Sequence, residues 1–370
     1  MGLDSLPRTA SVIQRGMNQA LHIGAQISVS LNGRIIADTA VGEARAGVPM
    51  TADTIMLWLS SGKPLTAIAI AQLWERGRLE LDDPVARHIP EFAAHGKDRI
   101  TIRHVLTHTG GFRRCANNWS LRPWEQIIAR ICASAPEHGW VPGRKAGYHV
   151  ASGWYILAEI VRRVDGRSID RYLREEVLLP LGMRQTWMGM PAAAYEAAAA
   201  RIGVMHDTSG PQPRPHGHWD TPLHAGLVRP GANVRGPARE LRCFYEMLLR
   251  HGRPPDSAQA RVLSPQTVEA ITARHRTGML DHSFNHVMDW GLGVLVNSAI
   301  YGADTVPYGF GRHASPRAFG HGGSQSSVGF ADPEQGLAVA IIFNGMSGEE
   351  QHNHRIRCTL TALYEDLGFA

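Results

Sequence analysis

The chain has 370 residues, 44% of them hydrophobic, and no apolar run approaches the roughly 18 residues of a membrane span, so it reads as a soluble globular protein of one large or two intimate domains. Its net charge of +5 comes from scattered arginines, which argues for a solvated surface and against a nucleic-acid stripe. Residues 1–17 are polar, carry Arg8 and Arg15 and lack the apolar stretch of a secretory signal; a cytoplasmic location is expected, with Cys115, Cys132, Cys243 and Cys358 as reduced thiols.

Residues 5–20 read as a helix. Ala25–Leu31 alternates as a strand, Asn32-Gly33 is a two-residue hairpin signal, and Arg34–Val41 returns as its partner. Residues 61–76 form a helix with apolar residues on most faces, hence buried, ended by Gly77. Leu81-Asp82-Asp83-Pro84 is a turn before a short helix, and Ile102–Leu106 leads into the loop His108-Thr109-Gly110-Gly111. Helices follow at 122–134 and 152–164, with Ser168 capping a third through Leu173. Residues 190–235 are rich in proline and read as a lid or a plain excursion. After helices at 236–250 and 264–273, strand signals crowd at 291–296, 318–321, 326–332 and 337–343, before a terminal helix at 348–367. The expected fold class is α+β: one antiparallel sheet built from residues 1–51 and 286–370 with terminal helices on it, and a mainly helical lobe from 52–285.

Ser60-Ser61-Gly62-Lys63 places a serine and a lysine at i and i+3, on one helix face. A serine hydroxyl needs an adjacent base, and a lysine serves as one when burial lowers its pKa. Ser61 competes as nucleophile but lies two residues from Lys63, on another face. The helix start also offers free N–H groups for an oxyanion. Gly320-His321-Gly322-Gly323-Ser324 is a glycine-rich strand that a substrate backbone can approach closely. Tyr148 precedes the helix at 152 and can relay protons near a lysine. Trp58, Trp119, Trp154 and Trp290 are candidates to line an apolar pocket. Among 19 histidines, His216/His218 and His352/His354 have ligand-like spacing but no partner set, so no metal is expected.

The order of S-x-x-K, a tyrosine near 150 and an H-G-G strand near 320 resembles the serine β-lactamase-like superfamily, and within it the class C β-lactamases, DD-peptidases and family VIII carboxylesterases. Leu79-Glu80-Leu81-Asp82-Asp83-Pro84-Val85, Leu106–Gly111 and Pro180-Leu181-Gly182-Met183 carry it further, from about residue 10 to the C-terminus. The resemblance implies that Ser60 is acylated, Lys63 is its base, Tyr148 is the tyrosine of Y-x-N, and His321-Gly322-Gly323 stands for the K-T-G strand. It also implies an oxyanion hole made by the N–H groups of Ser60 and Ser324, and no cofactor. The chain departs from the pattern at Tyr148-His149-Val150, where the asparagine is missing. Counting back from the next helix selects His149 instead, and Ser152 is a candidate for part of the asparagine's role. His321 in place of lysine offers a substrate carboxylate only a partial charge. The expected function is carboxylic ester hydrolysis on a small molecule. Amide or β-lactam cleavage, D-amino peptidase activity, acyl transfer to an amine or alcohol and a non-catalytic binding or sensor protein are the alternatives, and the oligomeric state is left open.

Overall fold

The computed structural model describes residues 2–255 and 260–370. Its centre is an eight-stranded antiparallel sheet. Strands β1 (Gly24–Leu31), β2 (Arg34–Arg45) and β3 (Val48–Pro49) come from the beginning of the chain. Strands β4 (Asp289–Trp290), β5 (Leu295–Val296), β6 (Phe319–Gly322), β7 (Ser327–Asp332) and β8 (Leu337–Phe343) come from its end. The spatial order is β4-β5-β6-β7-β8-β1-β2-β3, so the first hairpin joins the late strands through the β1–β8 pairing, in which Ala25 faces Phe343 and Leu31 faces Leu337. The hairpin forms because Asn32 and Gly33 both take positive φ, 50° and 77°, the backbone a two-residue turn with native strand twist demands.

Both faces of this sheet are buried. Leu337, Val339, Ile341 and Phe343 of β8 join a core with Ile27 and Val29 of β1 and with Ile13, Ile356, Leu360 and Leu363. The last four come from the terminal helices α1 (Pro7–Asn18) and α5 (Glu349–Asp366). The alternate residues Ala338, Ala340 and Ile342 face Leu241, Phe244 and Tyr245 of α4 (Ala238–Leu249). Small alanines on that side let α4 lie close. The helix also bonds the polar positions of β1, with Arg242 Nε donating to Ser28 Oγ at 3.0 Å and Ser30 Oγ donating to Glu246 Oε2 at 3.0 Å. So α4, although it belongs to the middle of the chain, is one of the sheet's two covering layers.

The remaining helices pack around α2 (Lys63–Glu75) and α3 (Ser152–Asp165). Every residue of α2 from Lys63 to Leu73 is buried, the outcome expected of a helix apolar on all faces. One expectation needs correction. The stretch 291–296 is not one strand. Gly291 N donates to Val294 O and Gly293 takes a φ of +81°, so a tight hairpin separates β4 from β5. The proline-rich stretch 190–235 carries a helix at Ala192–Ala198 and runs into a short strand at Val234–Gly236. That strand pairs with Met56–Leu57, directly before Ser60. Among the described residues no helix is long and apolar enough to cross a membrane.

Candidate active site

Ser60 sits in the turn of 3-10 helix Leu59–Gly62 that leads into α2. Leu59 enters it with φ +52°, a conformation that a leucine holds only when its surroundings impose it. They do so here: Trp58 N donates to Val234 O, and Ser327 Oγ donates to Trp58 O at 2.6 Å and contacts Ser61 Oγ at 2.9 Å. Ser61 Oγ in turn donates to the His321 carbonyl at 3.0 Å. Ser61 is therefore a buried strut between helix and strand. Ser60, the other serine, faces a cavity of about 200 Å³ lined also by Tyr148, Trp290, Tyr308, His321 and Glu349.

Lys63 Nζ donates to Ser60 Oγ at 2.8 Å and also bonds the Gly231 carbonyl. Its side chain is fully buried between the Tyr148 and Trp154 rings, with Nζ 5.2 and 5.7 Å from their centroids. Burial of an ammonium costs several kcal/mol unless an anion compensates, and among the described residues no carboxylate contacts it, so burial holds the Lys63 pKa well below the 10.5 of a free lysine. The amine is thereby disposed to accept the proton of the neighbouring hydroxyl. Gly231 is the end of the proline-rich excursion, and its carbonyl holds the lysine in place. Sequence reasoning missed it because a backbone acceptor leaves no residue-type signal.

The structure separates Tyr148 from His149. Tyr148 lines the cavity beside Lys63. Burial raises its phenol pKa, against a hydrogen bond with Ser60 that pulls the other way. The phenol is therefore protonated at neutral pH. His149 turns into the protein: its Nε2 faces Phe112 N at 3.4 Å, its ring stacks on His108 at 5.7 Å, and burial lowers its pKa to about 3. Asp281 holds this segment. It accepts from Tyr148 N at 3.1 Å and is ion-paired with Arg276 at 3.0 Å, both side chains being buried. His108, itself at φ +59°, packs against Tyr148 and Trp290 at 4.7 and 4.5 Å between ring centroids. Its loop was visible in the sequence; its place under the tyrosine was not.

Three expectations change here. Ser152 does not stand in for the missing asparagine: it is buried and its hydroxyl donates to the Phe112 carbonyl at 2.7 Å. Val150, two residues after Tyr148, is 54% exposed and lines the cavity instead. His321 does not carry a partial charge, because burial, with Lys63 adding to it, lowers its pKa to about 3. Of the four tryptophans only Trp290 lines the cavity. Trp58 and Trp154 are core, and Trp119 stacks on Trp219 at 4.6 Å.

Strand β6 closes the site. A Cβ on Gly322 would strike the Tyr308 ring, and one on Gly323 would strike Trp58 O and Ser327 Oγ, so the H-G-G strand presses directly on the nucleophile turn. Ser324 follows at the cavity edge, and neither its N–H nor that of Ser60 meets an acceptor among the described residues. Two N–H groups so placed are available to an anionic oxygen.

Known proteins bear on this arrangement. A family model described as Beta-lactamase matches residues 9–362. The chain is 28% identical over 351 residues to the esterase/beta-lactamase LipL of Mycobacterium tuberculosis, covering 87% of this chain and 77% of that protein. It is 28% identical over 383 residues to the esterase EstB of Burkholderia gladioli, covering 92% of each. The solved structure of a penicillin-binding protein homolog from Caulobacter crescentus superposes with a TM-score of 0.81 at 28% identity, over 99% of this chain and 98% of that one.

Proposed function

This chain belongs to the beta-lactamase family of serine hydrolases, and from that premise we propose that it is a carboxylesterase that forms an acyl-enzyme on Ser60. The observation that carries the proposal is the buried Lys63 amine on Ser60 Oγ, in a mostly apolar cavity whose strand histidine bears no charge.

Ser60 Oγ attacks the ester carbonyl carbon while Lys63 Nζ takes its proton. The carbonyl oxygen becomes an oxyanion and accepts from the N–H groups of Ser60 and Ser324, each worth roughly 3–4 kcal/mol in comparable sites. As the C–O bond to the alcohol breaks, the Tyr148 phenol gives its proton to the leaving alkoxide and is restored from Lys63. Water then attacks the acyl carbon. Its proton goes to the same pair, and the break of the C–Oγ bond returns a proton to Ser60. The tyrosine acts as a protonated relay and the lysine as the base, since burial raises the phenol pKa and lowers that of the amine.

An ester is favoured over a β-lactam or a peptide with a terminal carboxylate because His321 offers a carboxylate no charge. The esterase names among the relatives support the same reading. The test is turnover of p-nitrophenyl acetate together with fluorophosphonate labelling. We expect burst kinetics and a covalent adduct on Ser60, and Ser60→Ala to lose both while its melting temperature is kept. A labelled residue other than Ser60, or unchanged turnover in Ser60→Ala, would overturn it.

A further inference from the structure

The cavity wall formed by β6, Tyr308 and the start of α5 presents acceptors and no cation. His321 Nδ1 lies 2.7 Å from the Gly322 carbonyl, which can only accept, so Nδ1 carries the ring proton and Nε2 is a lone pair. That Nε2 is buried and has no partner. On the same wall stands Glu349, held from within the cavity by Tyr308 Oη, which donates to Oε2 at 2.5 Å, and by Ser324 Oγ, which donates to Oε1 at 3.3 Å. Glu349 is the carboxylate among the lining residues, and none of the described ones is a lysine or arginine. Two nearby arginines are spent: Arg113 bonds the lining Ser283 at 2.7 Å but is paired with Glu137, and buried Arg355 bonds carbonyls of Leu21, Gln325 and Gly345.

We propose that this wall selects substrates by charge, Glu349 and the bare acceptor of His321 admitting an ester that carries an ammonium group and turning away one that carries a carboxylate. The inference rests on the esterase reading and names the substrate class within it. An ammonium supplies the donors that two unsaturated acceptors lack. A carboxylate brings a third acceptor and a like charge to Glu349, which stands exposed at the cavity mouth, where the repulsion is real but open to screening by salt. Glu349 is a specificity residue here: it is reached through the substrate's charged end and takes no part in bond making.

Two matched series test this. In one the alcohol carries the charge: 4-aminobutyl butyrate, pentyl butyrate and 4-(butyryloxy)butanoate. In the other the acyl chain carries it: the ethyl esters of 4-aminobutanoic and pentanoic acids, and the monoethyl ester of glutaric acid. In at least one series kcat/KM falls from cation to neutral to anion, by roughly tenfold per step at low salt. Glu349→Gln keeps an oxygen for Tyr308, and lowers the cation-to-anion ratio by roughly tenfold or more. Raising ionic strength from about 0.02 to 0.5 M lowers the same ratio in the unmutated protein, a readout that needs no variant to fold. Ratios near one in both series, a ratio unmoved by Glu349→Gln, or one indifferent to salt would overturn the inference and leave the esterase reading intact. Turnover of none of these esters, nor of p-nitrophenyl acetate, would remove that reading and the inference with it.

Discussion

The two walls of the cavity are built in opposite ways. The nucleophile wall is local: Ser60 and Lys63 lie within one helical turn, and burial alone favours the uncharged amine that can accept a proton. The strand wall is assembled from Tyr308, His321, Ser324 and Glu349, residues on different elements that meet only in the folded chain. The nucleophile wall buries Lys63 and holds the reacting protons. The strand wall reaches the mouth and holds a carboxylate. The contrast teaches that side-chain proton transfer and substrate choice are housed separately, the strand wall entering bond making only through the backbone N–H of Ser324, so the two are open to separate mutation.

The severest way to break that division is to remove the base. Lys63→Met keeps the apolar stem between Tyr148 and Trp154 but leaves Ser60 without a proton acceptor. We expect kcat/KM for p-nitrophenyl acetate to fall by roughly 10⁴-fold, with fluorophosphonate labelling slowed in step. A comparable loss in His321→Gln would erase the distinction between the walls.

Next in size is the tyrosine. Tyr148→Phe removes the relay and is expected to cost 10²–10⁴-fold in kcat, roughly the range for a positioned acid–base group, with little change in melting temperature. His149→Ala should behave in reverse. It opens a hole beside Phe112 and His108, so it lowers stability by roughly 2–4 kcal/mol and lowers kcat less than Tyr148→Phe does. Thermal melts and steady-state rates on both variants measure this. A larger rate loss in His149→Ala would reassign the relay.

How much of this was legible follows the same line. The hairpin at Asn32-Gly33 and the buried helix after Ser60 were readable because each depends on local pattern, turn chemistry in one and an apolar run in the other. Ser60, Lys63 and the H-G-G strand were readable as ordered motifs. What escaped was everything set by tertiary contact. The hairpin inside 291–296 is imposed by Gly293 packing on Ala67, whose methyl leaves no room for a side chain there. Ser152 carried the right residue type, and only the fold shows its hydroxyl spent on Phe112 O. His321 looked half-charged because composition gives the free pKa, whereas burial sets the actual one. Glu349 drew no attention, being one of two adjacent acids at the start of a terminal helix.

The pH profile sharpens the comparison by assigning its limb to one wall. Lys63 must be neutral to act, so kcat/KM falls as pH falls through the lysine pKa, which burial moves well below 10.5. His321 with its pKa of about 3 is neutral throughout the range in which the enzyme is assayed, so it contributes no limb there. His321→Gln is therefore expected to shift kcat/KM by only severalfold and to leave the acid limb where it was. A limb that vanishes in that variant would place the titrating base on the strand wall.

Ser152→Ala gives the smallest effect and the finest discrimination. The hydroxyl bonds a buried carbonyl, 2.7 Å from Phe112 O, and that carbonyl also accepts from Cys115 Sγ at 3.0 Å. Its removal should cost about 1 kcal/mol of stability, the net worth of one neutral hydrogen bond, with part of the loss made up by the thiol. Rates for cationic, neutral and anionic esters should stay within about twofold, since a change of that size corresponds to less than about 0.5 kcal/mol in the transition state. If Ser152 instead took up the role of the missing asparagine, KM would rise selectively for substrates bearing an amide, with the melting temperature unmoved. The two outcomes differ in which observable responds, so one variant measured two ways decides whether the segment after Tyr148 is scaffold or subsite.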